Sequence, residues 1–172
     1  VTATGTPPTV GGAPLSSMLD VMASNGTVHV LDGVMVPPTI PEAVAATPDL
    51  SSLGTAVAAA SSAVQTTLSG SGPITVFAPV NSAFQGIDLG SLSQAQVDAI
   101  LTYHVVDSQV LSTDLTDGQT VTTAGGGTLT VNVADGQVTI TDAQNNTVNV
   151  TQADIRLLNG TVHLIDGVLM PM

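Results

Sequence analysis

Two histidine and aspartate pairs share one short spacing, His29-x-x-Asp32 and His163-x-x-Asp166. An imidazole held by a carboxylate is the arrangement that acid-base and nucleophilic catalysis use, the carboxylate fixing the ring's tautomer. The third histidine, His104, follows the only tyrosine, Tyr103. The remaining catalytic equipment is thin. There is no cysteine, and neither H-E-x-x-H nor G-x-S-x-G occurs. Many serines are present, and no spacing singles one out as a nucleophile for His104 or His163. The pairs therefore read as structural, an Asp166 to imidazole bond steadying His163 near a turn, with His29 and Asp32 as the upstream counterpart. His104 closes an apolar helical repeat, where an imidazolium would complement the negative end of the helix dipole.

The thirteen acidic residues are scattered over turns, and aromatic platforms for a sugar substrate are scarce, since Phe77, Phe84 and Tyr103 are the only rings besides histidine. Asp114-Leu115-Thr116-Asp117-Gly118 has part of a calcium loop but lacks its alternation and terminal Glu, so a turn is the better reading. Gly125-Gly126-Gly127 has no Lys or P-loop context and reads as a hairpin connection. No metal site and no cofactor are expected, and the reading favours a non-catalytic module.

One basic residue, Arg156, against thirteen acids gives a formal charge of −12. Nucleic acid is excluded as a partner, because phosphate binding draws on clustered Lys and Arg. No apolar run reaches the length of a membrane span, and the N-terminus lacks the regions of a signal peptide. Asn-x-Ser/Thr sequons stand at Asn25, Asn145, Asn149 and Asn159.

The elements that must position these residues follow from periodicity. Pro41 and Glu42 make a good entry to a short helix that Pro48 stops. From Leu50 to Leu68 apolar residues recur at three and four, which predicts one long helix. Ile74 to Phe77 reads as a buried strand. Asn81 is placed to cap a short helix over Ala83-Phe84. Ser93 and Gln96 form a capping box for a helix through His104. After Asp107 the period becomes two, and Asp135-Gly136 signals a hairpin within a meander of strands. Helices followed by strands indicate an α+β domain, helices packed on a mainly antiparallel sheet.

The chain also repeats itself. Asn25 to Pro37 returns as Asn159 to Pro171 with nine of thirteen positions identical, a spacing of 134 residues from Asn25 to Asn159. That spacing fits a globular domain rather than a solenoid unit. Asp20-Val21 stands as far before Asn25 as Asp154-Ile155 before Asn159, and Val1 to Thr4 is similar to Val138 to Thr141.

Three blocks carry a resemblance to the fasciclin (FAS1) family. Thr75-Val76-Phe77-Ala78-Pro79-Val80-Asn81-Ser82-Ala83-Phe84 resembles its first signature, Tyr103-His104 its central Tyr-His element, and Asn159 to Pro171 its closing block. Val80 stands where Thr is common and Gly167 where Lys often stands. The resemblance implies a FAS1-like α+β fold over residues 38–172, with residues 1–37 the closing hairpin and linker of a preceding copy. Within the blocks Thr75, Phe77, Pro79, Asn81, Phe84, His163 and Asp166 read as scaffold. The family implies an extracellular or cell-surface adhesion module whose partner is a protein, a glycan or itself. In animal relatives the Tyr-His region is associated with integrin adhesion, which makes Tyr103 and His104 the candidate binding residues, although core packing plus a helix cap is the favoured role for the pair here. The alternative is a small-molecule or glycan site, or a hydrolase, in a groove near His104. Residues 1–37 are expected to pack on 38–172 or on another chain, since Val28, Val30, Val34 and Met35 would otherwise be exposed.

Overall fold

The computed structural model describes residues 9–10, 13–16, 21–87, 89–134 and 136–171. The chain divides into two compact units, Val1–Pro37 and Pro38–Met172. Val1 to Thr4, Asp20 and Asp135 lie outside the described residues.

The second unit opens with α1 (Ile40–Ala46), where Thr39 donates its backbone N–H to Glu42 Oε2 at 2.8 Å. After a short 3-10 turn come α2 (Ser51–Ala59) and α3 (Ser62–Ser69). The single helix expected over residues 50–68 is thus two. Ala60 and Ser61 are extended, and the Ser61 N–H goes to Asp98 Oδ1 at 2.8 Å instead of to a carbonyl of its own helix. The break lets Leu53 and Ala56 on one helix and Val64 and Leu68 on the next enter one core.

Strand β5 (Ile74–Pro79) is buried at all six positions, as a strand covered on both faces must be. Helix α4 (Gln94–Tyr103) starts at the expected box, Ser93 N–H donating to Gln96 Oε1 at 2.9 Å. Short β6 (Val105–Val106) follows, then β7 (Gln119–Thr122), β8 (Thr128–Ala134), β9 (Gln137–Thr141), β10 (Thr147–Leu157) and β11 (Gly160–Ile165). They form one seven-stranded sheet ordered β6-β5-β11-β10-β9-β8-β7. The meander is antiparallel, and β11 returns to lie parallel to β5, His163 opposite Phe77. This is the expected α+β fold.

One face of the sheet packs on the helices around Val76, Ala78, Leu101 and Val162. The other buries Phe77, Tyr103, Leu129, Val131, Ile140 and Ile165. Gly160 makes the parallel pairing possible. A Cβ there would lie 2.1 Å from the Ile74 carbonyl oxygen, so only glycine lets the strands approach.

In the first unit β1 (Thr9–Val10) pairs with β2 (Ala13–Pro14), and β3 (Val21–Ala23) with β4 (Gly26–Val28). The β3–β4 pairs are Val21↔Val28, Met22↔Thr27 and Ala23↔Gly26. Moved along by the repeat, they become Ile155↔Val162, Arg156↔Thr161 and Leu157↔Gly160, which are pairs of β10 and β11. The repeat is therefore a repeat of register. Here several apolar side chains are exposed, Met22 by 78% and Val34 by 84%, with Val21, Val28, Met35 and Val36 also open, while Val30 is half-buried.

Candidate functional site

The signature blocks meet at three polar nodes. At the first, His163 on β11 stacks on Phe77 with ring centroids 5.5 Å apart. Its Nε2 reaches the Val110 carbonyl at 2.9 Å, and its Nδ1 accepts the Asp154 N–H at 3.2 Å. A backbone N–H can only donate, so the proton sits on Nε2. Asp154 interrupts β10 with a φ of 60°, beside two register shifts, and its carboxylate takes the Ser112 N–H at 2.8 Å and the Ser112 hydroxyl. Those two bonds, the hydroxyl's first, hold its pKa below the ordinary carboxylate value. Thr75 completes the lacing, donating to Ser108 O at 2.7 Å and accepting from Val110 N–H at 2.8 Å.

Ser112, Asp154 and His163 thus come together without forming a catalytic relay. The serine proton faces the carboxylate rather than the imidazole, and the imidazole spends its own proton on a backbone carbonyl. The expected His163 to Asp166 bond is corrected. Asp166 lies just past the end of β11 and accepts Asn149 N–H and Nδ2–H, both at 2.7 Å, instead of a bond from the imidazole.

The second node is Tyr103-His104, each side chain only 2% exposed. The tyrosine hydroxyl donates to Thr128 O at 2.9 Å and accepts Ala143 N–H at 3.0 Å, and burial, its largest influence, raises its pKa. A Cβ on Gly127 would lie 2.4 Å from the tyrosine ring, so the glycine turn is seated on it. His104 Nδ1 donates to Ile100 O at 2.7 Å, and Nε2 accepts Leu169 N–H at 3.0 Å. Burial pushes its pKa down to about 4. The imidazolium expected at the helix end is therefore a neutral ring, because desolvation outweighs the dipole and its carbonyl partner. Asp142 stands nearby, taking Gln144 N–H and Asn146 N–H at 2.9 Å each, Asn146 Nδ2–H at 3.0 Å and Met170 N–H at 3.1 Å. Burial alone would raise its pKa, but these bonds more than offset it and the net shift is downward.

Both side chains are thus packed and hydrogen-bonded inside the fold. A groove of about 560 Å³ passes Thr102, Tyr103 and Thr128, whereas the space that His104 itself lines is a small cavity of about 20 Å³ with apolar walls such as Leu53, Phe84, Leu101 and Val168. That cavity offers no convergent polar groups for a sugar or a hydrolysable substrate.

At the third node Asn159, 7% exposed, accepts Ile40 N–H at 2.9 Å and donates to Leu68 O at 2.8 Å and Gly70 O at 3.1 Å. Both amide hydrogens are used, which leaves no room for a glycan in the folded domain. Asn149 is half-buried against Asp166, whereas Asn25 and Asn145 are exposed in turns. Asn81 likewise departs from its expected capping role. Its carboxamide reaches sideways, accepting Ser52 N–H at 2.9 Å and donating to Pro48 O at 2.9 Å, so it fixes the start of α2. Pro79 ends β5, and Phe84 packs on the helical core. His29 and Asp32 are exposed. Among the described residues no group of three or more His, Cys, Asp or Glu could hold a metal ion. No helix is long and apolar enough to cross a membrane, again among the described residues.

Asp142 and Ser112 carry no role that the sequence alone predicts. Asp142 carried one signal, an acid ahead of Asn145-Asn146 in a turn, and Asp154 another, its repetition as Asp20.

The model of the fasciclin domain matches residues 48–171. This chain belongs to the fasciclin family. Protein sll1483 of Synechocystis is 36% identical over 140 residues, covering 77% of this chain and 73% of that protein. Transforming growth factor-beta-induced protein ig-h3 of Sus scrofa is 35% identical over 121 residues, 69% of this chain but only 17% of the relative. A FAS1 domain pair from the insect cell adhesion molecule fasciclin I superposes with a TM-score of 0.66 at 22% identity, covering 94% of this chain and 61% of that one. The likeness to the pair is one of fold. The fasciclin signatures thus coincide here with the three internal nodes.

Proposed function

We propose that this fasciclin domain is a non-catalytic adhesion module working outside the cell, binding a protein, a glycan or its own kind through its exposed surface. The carrying observation is that the polar side chains of the signature blocks are engaged inside the fold, at Asn159, His163, His104, Tyr103 and Thr75. Such residues hold a rigid surface and leave recognition to what lies on it. The likeness to a domain pair of an insect cell adhesion molecule points the same way. Exposed Asn25 and Asn145 are the sequons available to a glycan.

Residues 1–37 we read as the closing hairpin of a preceding copy, on the strength of the shared register of β3–β4 and β10–β11. In that reading its exposed apolar side chains belong against a fasciclin body, that of 38–172 or of another chain. Repetition suits weak adhesion, because linked sites raise effective concentration, with avidity gains of roughly 10² to 10⁴. The test compares one domain with a tandem pair for binding to cells, immobilised matrix proteins and glycans. A pair that binds no tighter than one domain on every surface would rule out multivalent adhesion. Protease accessibility on intact cells tests the setting.

A further inference from the structure

The dipeptide Asn-Gly occurs twice, at the same turn of two hairpins with the same register. Asn-Gly has a reaction of its own. The glycine nitrogen attacks the asparagine Cγ, the new C–N bond closes a succinimide, and Nδ2 leaves as ammonia. Water then opens the ring to aspartate or isoaspartate. No oxidant or cofactor is needed, and the absence of a Cβ on glycine leaves the attack unhindered.

We propose that Asn25-Gly26 is a site of spontaneous deamidation in this protein and that Asn159-Gly160 is shielded from the same chemistry. Asn25 is exposed, and nothing lies within 4 Å of the place where a Gly26 Cβ would stand. Asn159 is buried, and swinging its Cγ toward the Gly160 nitrogen would break its bonds to Ile40, Leu68 and Gly70 together. Gly160 itself is pressed against the Ile74 carbonyl. Two nearly identical sequences therefore differ in reactivity because one is clamped.

The consequence for closure rests on the tandem reading above. Asn159 donates two N–H bonds to carbonyls, and a carboxylate at position 25 would have none to donate. Deamidation would mark a hairpin that had failed to seat and would prevent it from seating later.

The test is peptide mapping of the full chain, made without glycosylation and incubated in mildly alkaline buffer at body temperature. Amide-to-acid conversion at Asn25 is expected at least about tenfold faster than at Asn159, the margin set by the bonds that must break. In denaturant the two rates should converge, and Gly26→Ala should slow the first. Equal native rates, or an intact Asn25 when the denatured chain has reacted at both sites, overturns the proposal. Grafting residues 38–153 ahead of residues 20–172 separates it from the tandem reading. If Asn25 reacts in the natural chain and just as fast in the graft, only the tandem reading and its closure consequence fail.

Discussion

Asn25 to Pro37 and Asn159 to Pro171 are almost one sequence in two circumstances. The second copy sits mid-sheet, with β5 on one side and β10 on the other, its histidine 1% exposed and its asparagine making three hydrogen bonds. The first keeps its hairpin register while Val28, Val34 and Met35 stand exposed. The hairpin is thus encoded locally, but the chemistry of the motif is not. Ile40 N–H, Leu68 O and Gly70 O, which give Asn159 its role, all come from outside the motif. A signature of this kind is a set of plugs, legible only beside the sockets.

The largest difference between the two copies is expected at their asparagines. Asn159→Ala leaves one N–H and two carbonyls without partners and should cost roughly 3–5 kcal/mol in urea unfolding, whereas Asn25→Ala should stay within about 0.5 kcal/mol. A similar cost at both positions would mean that the first hairpin is clamped as well. Gly160→Ala comes next, at about 3 kcal/mol, since a Cβ meets backbone and no side chain can swing away. Gly26→Ala should cost well under about 1 kcal/mol, having open space around it.

Acid sharpens the contrast through the strap that follows β11. His104 titrates near 6.5 when unfolded and at about 4 when folded, so as pH falls the unfolded chain takes up the proton first. Stability should therefore fall by roughly 3 kcal/mol between those values. Asp142 and Asp154, whose folded pKa values are lowered, add a loss at lower pH still, as they protonate. In His104→Gln the decline above pH 4 should flatten. An unchanged slope would place the titration elsewhere. The smallest effect belongs to the aspartates: Asp166→Ala should cost about 1 kcal/mol through Asn149, and Asp32→Ala almost nothing.

Much of this fold was legible because its signals are local. The capping box at Ser93, the alternation around Leu129 and Val131, and the apolar run of β5 each speak within a few residues. The interruption at Ala60-Ser61 was not, because the Ser61 N–H is satisfied by Asp98 on another helix. The site was least legible where partners are distant in sequence. Asn159 was readable as the first residue of the closing block, yet its partner Ile40 lies 119 residues away along the chain. His163 was paired with Asp166 on spacing alone, whereas the carboxylate is taken by Asn149 of the neighbouring strand. His104 was read from its own helix, while its neutrality is decided by burial and its tautomer by the N–H of Leu169, 65 residues away along the chain.

The place of β11 in the middle of the sheet has a mechanical consequence. A strand at an edge unzips one bond at a time when its end is pulled. β11 is laddered to β5 along six residues and to β10 on its other side, and the strap beyond it is tied to His104 and Asp142. Tension entering through Pro171 meets its bond from Gln144 Nε2 and those two ties before it loads both ladders together, so a pull along the chain is resisted by two neighbouring strands at once.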